Sequence, residues 1–198
     1  MKGMIKDALI LFAITLIAGL MLGVVNDITK EPIAQQEQKA KNEACQNVFA
    51  AADSFEAQEL ADSAQIEQVL TDAGISGADI DELMAAKDAS GALLGYVITV
   101  TDHEGYGGDI QFSMGITHEG TLNGISLLSI SETAGLGMRA GEVLVPQFAD
   151  KNVSKFTYTK TGATADSEID AISGATITTN AVVNGVNAGL AYLSLIHI

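Results

Sequence analysis

The chain has 198 residues, with 25 acidic side chains against 10 basic ones, and its formal net charge of −15 argues against nucleic acid as a partner. Hydrophobic residues make up 47% of it, which excludes disorder over the whole chain, and the length allows one domain with a short appendage. One cysteine and three scattered histidines exclude an internal disulfide and predict no metal site.

The chain begins with an apolar segment that is long enough to cross a membrane. Residues 8–25 form an unbroken run of 18 residues in which Thr15 has the only polar side chain. As a helix this run would rise about 27 Å, close to a hydrocarbon thickness of about 30 Å. Lys2 and Lys6 precede the run and Asp27 follows it, so the positive-inside rule places the amino-terminal side in the cytoplasm.

We therefore predict that residues 1–28 are a cytoplasmic arm and one transmembrane helix in the cell (inner) membrane, with the main domain outside the cytoplasm. The residues beyond position 30 hold 7 basic and 23 acidic side chains, as suits an exported domain. Two alternatives remain, a cleaved signal peptide and a buried helix of a soluble protein. Signal peptides usually have an apolar core of only about 7–15 residues, so the anchor is favoured.

Residues 29–91 are predicted to be a helical stalk and linker region. Thr29 is a candidate N-cap, and Glu31 and Pro32 suit the first turn of the helix it would start. Apolar side chains recur at helical spacing to about residue 53, and Cys45 beside them is predicted to be a small packed side chain. The region rich in Ala, Asp, Glu and Ser, residues 54–91, is predicted to hold short helices.

Residues 92–192 are predicted to be the core of an α+β domain, an antiparallel sheet with flanking helices. Alternating apolar residues predict strands near residues 94–100, 110–116 and 122–130. A short helical stretch near 146–148 and a strand near 155–158 follow, and apolar residues at helical spacing predict a last helix over 178–192.

Residues 193–198 read LSLIHI, which is the peptide that a common transposon-end sequencing adapter would encode when translated in frame. We expect these residues to be an artefact that replaces the natural C-terminus. His197 is assigned no role, and His103 and His118 are expected to be solvated residues of turns.

The segment most informative about chemistry is residues 170–180, with the sequence DAISGATITTN. Gly174 and Ala175 have almost no side chain, so a bulky partner can approach the backbone closely. The hydroxyl groups lie just before a predicted helix, where free N–H groups and the helix dipole favour a phosphate. The segment is equally typical of an ordinary helix start with Thr178 or Thr179 as the N-cap.

The same segment resembles the attachment motif of the covalent FMN-binding domain family, Asp-x-x-Ser/Thr-Gly-Ala-Thr/Ser. Asp170, Ser173, Gly174 and Ala175 match it, and the resemblance implies that Thr176 carries FMN as a phosphoester. In that family a separate flavin transferase, which uses FAD and magnesium, installs the ester. Residues 161–164, TGAT, also fit the Ser/Thr-Gly-Ala-Thr/Ser core of the motif, but Tyr158 stands at the position of the aspartate, so Thr164 is rejected.

Two further segments resemble the same family. Residues 105–110, GYGGDI, are similar to its Gly-Tyr-x-Gly-x-Ile stretch. Residues 131–137, SETAGLG, are similar to its Glu-Thr-Pro-Gly-Leu-Gly stretch, with Ala134 in place of the proline. The resemblance implies that this second stretch contacts the flavin through five residues: Glu132, Thr133, Gly135, Leu136 and Gly137.

The order of these motifs behind one anchor resembles the G subunits of Rnf-type electron-transport complexes. That resemblance implies an electron relay through FMN, with other membrane subunits of the complex as partners, and no independent turnover or separate catalytic residue. The alternatives are the C subunit of a sodium-translocating NADH:quinone reductase and an exported binding or scaffold module without a redox group. An anchored hydrolase is disfavoured because the chain has no Gly-x-Ser-x-Gly, Ser-x-x-Lys or His-Glu-x-x-His pattern.

Overall fold

The structure, a computed structural model, describes residues 2–196. The last two residues of the predicted artefactual tail, His197 among them, lie outside this range. The contacts divide the chain into a first unit that ends at Ala40 and a second unit that begins at Lys41. The first unit consists of most of helix α1 (Lys2–Val48), whose apolar side chains are exposed over the predicted anchor. By length and composition this helix could cross a membrane.

The prediction that Thr29 starts a second helix is wrong. Helix α1 passes through this position, and the Thr29 hydroxyl donates back to the carbonyl of Val25 at 2.9 Å. The region between the anchor and Pro32 has no glycine, and Lys30 pairs with Asp27 one turn earlier at 3.0 Å. Continuous helical preference therefore outweighs the capping signal, and Pro32 is accommodated inside the helix.

The second unit is built on a five-stranded antiparallel sheet whose strand order follows the chain. The prediction of an α+β fold, with an antiparallel sheet and flanking helices, is confirmed. The strands of the sheet are β1 (Ser54–Gln58), β2 (Ala78–Lys87), β3 (Leu93–Asp102), β4 (Ile110–Thr117) and β5 (Leu122–Ser129). The three strands that were predicted from alternation are its last three.

The prediction that residues 54–91 hold only short helices is wrong for most of the region. It contains β1 and β2, with helix α2 (Ser63–Asp72) between them. The acidic residues of β2 obscured an alternation in which Ala78, Ile80 and Leu83 are buried, and this alternation is interrupted by a bulge. Pairing with β3 along nearly the whole strand decides its conformation, as tertiary context often does for strands.

Helix α4 (Thr176–Ile196) covers one face of the sheet, and it begins two residues earlier than predicted. The prediction of Thr178 or Thr179 as the cap is wrong, because both are buried inside the first turn. The helix lies close to the strands at Gly185 and Gly189, where a Cβ would collide with Phe112 and Met114 respectively. These two glycines therefore set how closely the helix packs on the sheet.

The other face of the sheet is covered by the end of α1. Cys45, Val48 and Phe49 pack there against Ala86 and Val97, so the prediction that Cys45 is a packed side chain is confirmed. Burial raises the pKa of the Cys45 thiol to about 11. The thiol is therefore protonated and unreactive at neutral pH.

The chain between the sheet and α4 is mostly irregular. It contains a 3-10 turn at residues 137–139, the short helix α3 (Ala140–Val143) and a second 3-10 turn at residues 145–148, near the predicted helical stretch. Strands β6 (Thr157–Thr159) and β7 (Glu168–Asp170) then pair in parallel. Strand β6 overlaps the strand predicted near residues 155–158, and its parallel partner was not predicted.

One side chain of α4 connects the helix to this irregular region. The buried amide of Asn187 accepts from the backbone N–H of Phe156 at 2.7 Å and donates to the Phe156 carbonyl at 2.9 Å.

We expect Asn187→Ala to lower the free energy of unfolding by at least about 2 kcal/mol, because both backbone groups would stay buried without partners. Urea unfolding of the full chain in detergent measures this loss. Asn180→Ala is the control, because Asn180 is an exposed residue near the start of the same helix, and it should change stability by less than about 0.5 kcal/mol; equal losses in the two variants would contradict the prediction.

Candidate functional site

Three segments that are distant in sequence meet in one cleft of about 460 Å³. They are the loop between β3 and β4, the loop that follows β5, and the start of α4. A cleft of this volume lies in the range of pockets that hold small cofactors. The residues that line it are Tyr106, Glu132, Thr133, Leu136, Gly137, Gly174, Ala175, Thr176, Ile177 and Thr178.

The carboxylate of Glu132 links all three segments. Its Oε1 accepts from the backbone N–H of Gly107 at 3.2 Å, and its Oε2 accepts from the buried hydroxyl of Thr178 at 3.0 Å. Hydrogen bonds to an ionised acceptor are among the stronger ones in proteins. The half-buried Glu132 is therefore a structural connection between the walls of the cleft.

Gly137 packs against this connection with no room for a side chain. A Cβ there would lie 2.5 Å from the Thr178 hydroxyl and 2.7 Å from Cβ of Glu132. Gly107 is equally confined, because a Cβ would collide with the carbonyl oxygen of Ser131. Close approach of the backbones that form the cleft therefore explains Gly137, a glycine of the second motif, and Gly107, which stands at a variable position of the first motif.

The third wall of the cleft is the turn into α4. Gly174 has a φ of 78°, a conformation that glycine adopts without strain, and Thr176 is the first helical residue. The Thr179 hydroxyl receives the N–H of Ile172 and donates to the carbonyl of Ala175, which fixes the turn. The first N–H groups of a helix have no acceptor inside it, so this end of α4 favours an anion beside the partly buried Thr176.

The structure brings seven of the ten predicted site residues to the cleft. They are Glu132, Thr133, Leu136, Gly137, Gly174, Ala175 and Thr176. The other three, Asp170, Ser173 and Gly135, are exposed and do not line it. Two larger grooves, of about 710 and 630 Å³, are lined by none of the predicted site residues.

Asp170 fixes a loop outside the cleft. Its Oδ1 accepts from the backbone N–H of Ala163 at 2.6 Å, and its own backbone exchanges two hydrogen bonds with the Gln147 side chain. Ala163 belongs to the TGAT segment at residues 161–164. The acid of the attachment motif therefore orders this rejected candidate segment, a contact that the sequence did not predict.

Thr164 is used inside its own loop. Its backbone N–H and its hydroxyl both donate to one oxygen of Glu168, at 2.7 and 2.9 Å. These hydrogen bonds hold the pKa of Glu168 below its usual range. Thr164 does not line the cleft, and no helix of the described chain begins there.

Three residues that line the cleft were not predicted from the sequence as site residues. Tyr106 and Ile177 have exposed side chains, with 69% and 51% of their surface accessible, and Thr178 is the buried partner of Glu132. Tyr106 lies within one of the family-like motifs and between two glycines, which was a usable signal. The pairing of Thr178 with a residue 46 positions away has no local signal in the sequence.

The residues present fit an FMN group. The cleft combines a hydroxyl and free N–H groups for the phosphate with glycines that let a bulky group approach the backbone, and with apolar side chains at its rim. The FMN-binding domain model matches residues 105–191, and the RnfG N-terminal region model matches residues 1–48. The fold, the cleft and the first of these matches define a flavin-binding domain.

Relatives of known type identify the family more narrowly. The G subunit of the Na(+)-translocating ferredoxin:NAD(+) oxidoreductase complex of Acetobacterium woodii is 32% identical over 96% of this chain and 91% of its own length. The G subunit of the proton-translocating ferredoxin:NAD(+) oxidoreductase complex of Clostridium ljungdahlii is 29% identical over 91% and 90% of the two chains. The chain belongs to the family of Rnf complex G subunits.

A solved structure is also similar. The crystal structure of Shewanella oneidensis NqrC aligns with a TM-score of 0.47 and 18% identity over 56% of each chain.

The tight packing at Gly137 leads to a direct test. We expect Gly137→Ala to lower the melting temperature of the protein, because the new methyl group would separate Thr178 from Glu132. Thermal unfolding followed by circular dichroism measures the change. Gly141→Ala is the control, since its Cβ would meet only Leu127 at 3.7 Å, and it should leave the melting temperature nearly unchanged. A loss that is as large at position 141 would contradict this account of the cleft.

Proposed function

We propose that this protein relays electrons through FMN bound covalently to Thr176, as a membrane-anchored subunit of an ion-translocating complex that couples ferredoxin and NAD chemistry. The observation that carries the proposal is the position of Thr176, the first residue of a long helix, in a cleft whose other walls are the two further family-like motifs. The two relatives from ferredoxin:NAD(+) oxidoreductase complexes support the type of complex. The proposed partners are the other membrane subunits of that complex.

The residues of the cleft divide into a phosphate end and a ring end. Thr176 supplies the hydroxyl, and the free N–H groups of the first turn of α4 stabilise the negative charge of the phosphate. Tyr106, Leu136 and Ile177 offer apolar surface at the rim. When bound, FMN supplies the capacity to accept and donate one or two electrons, and the protein supplies position and electrostatics.

The exposure of the rim suits electron transfer between subunits. Tyr106, Leu136 and Ile177 keep between 40% and 69% of their surface accessible, so a group beside them can be approached by a partner. A noncovalent cofactor would dissociate more readily from so open a site. A covalent bond to Thr176 removes that loss while leaving the face accessible.

Attachment requires a separate flavin transferase with FAD as donor. The bond formed joins Oγ1 of Thr176 to the phosphorus of the FMN half of FAD. The bond broken is the P–O bond of the pyrophosphate on the FMN side, so AMP leaves with the bridging oxygen and the proton of the threonine hydroxyl is released. The partial exposure of Thr176 at the mouth of the cleft is consistent with access by such an enzyme.

The proposed attachment can be tested by peptide mass. We expect Thr176→Ala to abolish covalent flavin and Thr176→Ser to retain it, because serine keeps the hydroxyl. The protein is co-expressed with the transferase, and flavin fluorescence is read in a denaturing gel. Trypsin is unsuitable for the mass map, because no lysine or arginine follows Lys160 and one peptide would contain both Thr164 and Thr176.

Cleavage after glutamate separates the two candidates, since Glu168 is the last glutamate of the chain. The peptide that begins at Ile169 should be heavier by one FMN less one water. Thr164→Ala is the matched control and should keep the full flavin signal. A bare peptide from residue 169 onward, in a chain without covalent flavin, would refute the attachment and leave a module without a redox group. Flavin that persists in Thr176→Ala would refute the attachment to this residue.

We also propose that the flavin domain lies on the outer side of the membrane, with the amino terminus in the cytoplasm. The distribution of charge supports this orientation, since Lys6 precedes the apolar run and the residues beyond it are strongly acidic. It follows that electrons cross part of the membrane within other subunits of the complex.

Cys45 makes a labelling test of this orientation straightforward. The thiol is buried, and its pKa is raised to about 11, so it should not react with a maleimide at pH 7. In intact cells an impermeant maleimide should label Ala89→Cys, on an exposed turn of the domain, and should not label Gly3→Cys. The reverse pattern would overturn the orientation, and detergent-opened cells should label both variants.

A further inference from the structure

The loop between β3 and β4 is held at its base by one imidazole ring. His103 begins the loop, and its Nδ1 lies 2.9 Å from Oδ1 of Asp109 at the other end of the loop. Its Nε2 lies 3.0 Å from Oδ2 of Asp79 on the neighbouring strand β2. Because both ring nitrogens face carboxylate oxygens, both carry a proton and donate. One ring therefore connects three segments of backbone.

The loop that the ring closes carries one wall of the cleft. It contains Gly105, Gly107 and Gly108, and the last of these has a φ of 130°, so its backbone has wide conformational freedom. Tyr106, between these glycines, has an exposed side chain that lines the cleft. With so many glycines, the position of Tyr106 depends on contacts at the base of the loop and on the Gly107 bond to Glu132.

We propose that His103 is a positioning residue: by donating to Asp79 and Asp109 at once, its imidazolium closes the loop of residues 103–109 and holds Tyr106 against the cofactor cleft. The closure of the loop is a property of the chain alone. Its effect on a flavin rests on the proposed function.

The charged groups around His103 are all acidic. Asp79 comes from β2 and Asp109 from the entry to β4, and both contact the ring. Asp102, on β3, is buried, and burial raises its pKa although Asn184 and the backbone of Glu104 donate to it. Glu104 follows His103 and accepts from the hydroxyl of Ser76. These groups all favour the protonated ring.

The hydrogen bonds that His103 donates to Asp109 and Asp79 raise the pKa of the ring from 6.5 to about 9. We call the pair of hydrogen bonds from His103 to Asp79 and Asp109 the clamp. Because the pKa of His103 is raised, the clamp contributes its full stability below pH 6.5 and loses it as the pH rises through 9. Once the ring is neutral, one of its nitrogens presents a lone pair to a carboxylate oxygen, and that contact becomes repulsive. We therefore expect the loop to open on the alkaline side of pH 9 while the rest of the domain remains folded.

The first test uses the full chain in detergent, produced without the transferase, so that no flavin is needed. We expect amide hydrogens within residues 103–109 to be protected at pH 7, as measured by hydrogen exchange, and to lose that protection in His103→Gln. His118→Gln is the control, since the His118 ring lies at hydrogen-bond distance from the Leu94 carbonyl rather than from a carboxylate among the described residues, and it should match the unaltered chain. Equal protection of the loop in His103→Gln and the unaltered chain would overturn the proposal.

A second variant covers the case in which His103→Gln unfolds. Asp109→Asn removes one acceptor charge, so the ring should titrate at a lower pH than the value of about 9 in the unaltered chain. Titration of isotope-labelled histidine by NMR reports this shift directly. An unchanged ring titration in Asp109→Asn, or a ring that titrates near 6.5 in the unaltered chain, would also overturn the clamp.

The third arm adds the transferase and reads flavin fluorescence against pH. A tyrosine near a flavin quenches it, so fluorescence should rise as the loop opens through about pH 9. The rise should be absent in both Tyr106→Leu and His103→Gln and present in His118→Gln. If the loop is protected but the chain never takes up flavin, the proposed function is refuted and the role of His103 stands. If the chain takes up flavin and His103→Gln shows the same rise of fluorescence at alkaline pH, the role of His103 is refuted.

Discussion

The cleft of this protein depends on one carboxylate that is shared between three backbones. Glu132 comes from the loop after β5, and its two oxygens are taken by an amide from the β3–β4 loop and by a hydroxyl from the first turn of α4. None of these segments is close to another in sequence. Without this shared acceptor, no single group would fix the two glycine-rich loops relative to the start of α4. The loops would not fix themselves, because glycine backbones have little conformational preference of their own.

The same carboxylate imposes an electrostatic condition on the site. It lies near the end of α4 where a phosphate is proposed, and two anions repel each other at short range. The Gly107 amide and the Thr178 hydroxyl already occupy both oxygens of Glu132. The N–H groups of the helix are not used by Glu132 in these two hydrogen bonds, so they can serve the proposed phosphate. Glu132 therefore supports the cleft, and its contact with a flavin stays a prediction.

Much of the architecture could be predicted from local patterns. The alternation of apolar residues along the sequence identified β3, β4 and β5. Strand β5 has a buried and a more exposed side, and β3 and β4 lie mostly in the core. Strands β1 and β2 were missed, since the polar composition of this region resembles that of surface helices and a bulge interrupts the alternation in β2. Seven of the predicted site residues reached one cleft because the motifs carry glycines where backbones must approach. The roles of Asp170 and Thr178 could not be predicted, because their partners are fixed only by the folded chain.

The position of Thr176 at the end of α4 has a consequence for how a tethered group can move. The helix has 21 residues, and beyond its first turn it is buried against the sheet as far as Tyr192. The backbone at its first residue therefore cannot move independently of the helix. A flavin attached to Thr176, as proposed, would move only through the torsions of this side chain, of the phosphoester and of the ribityl chain. Any larger displacement of the flavin toward a donor or an acceptor would require movement of the whole domain.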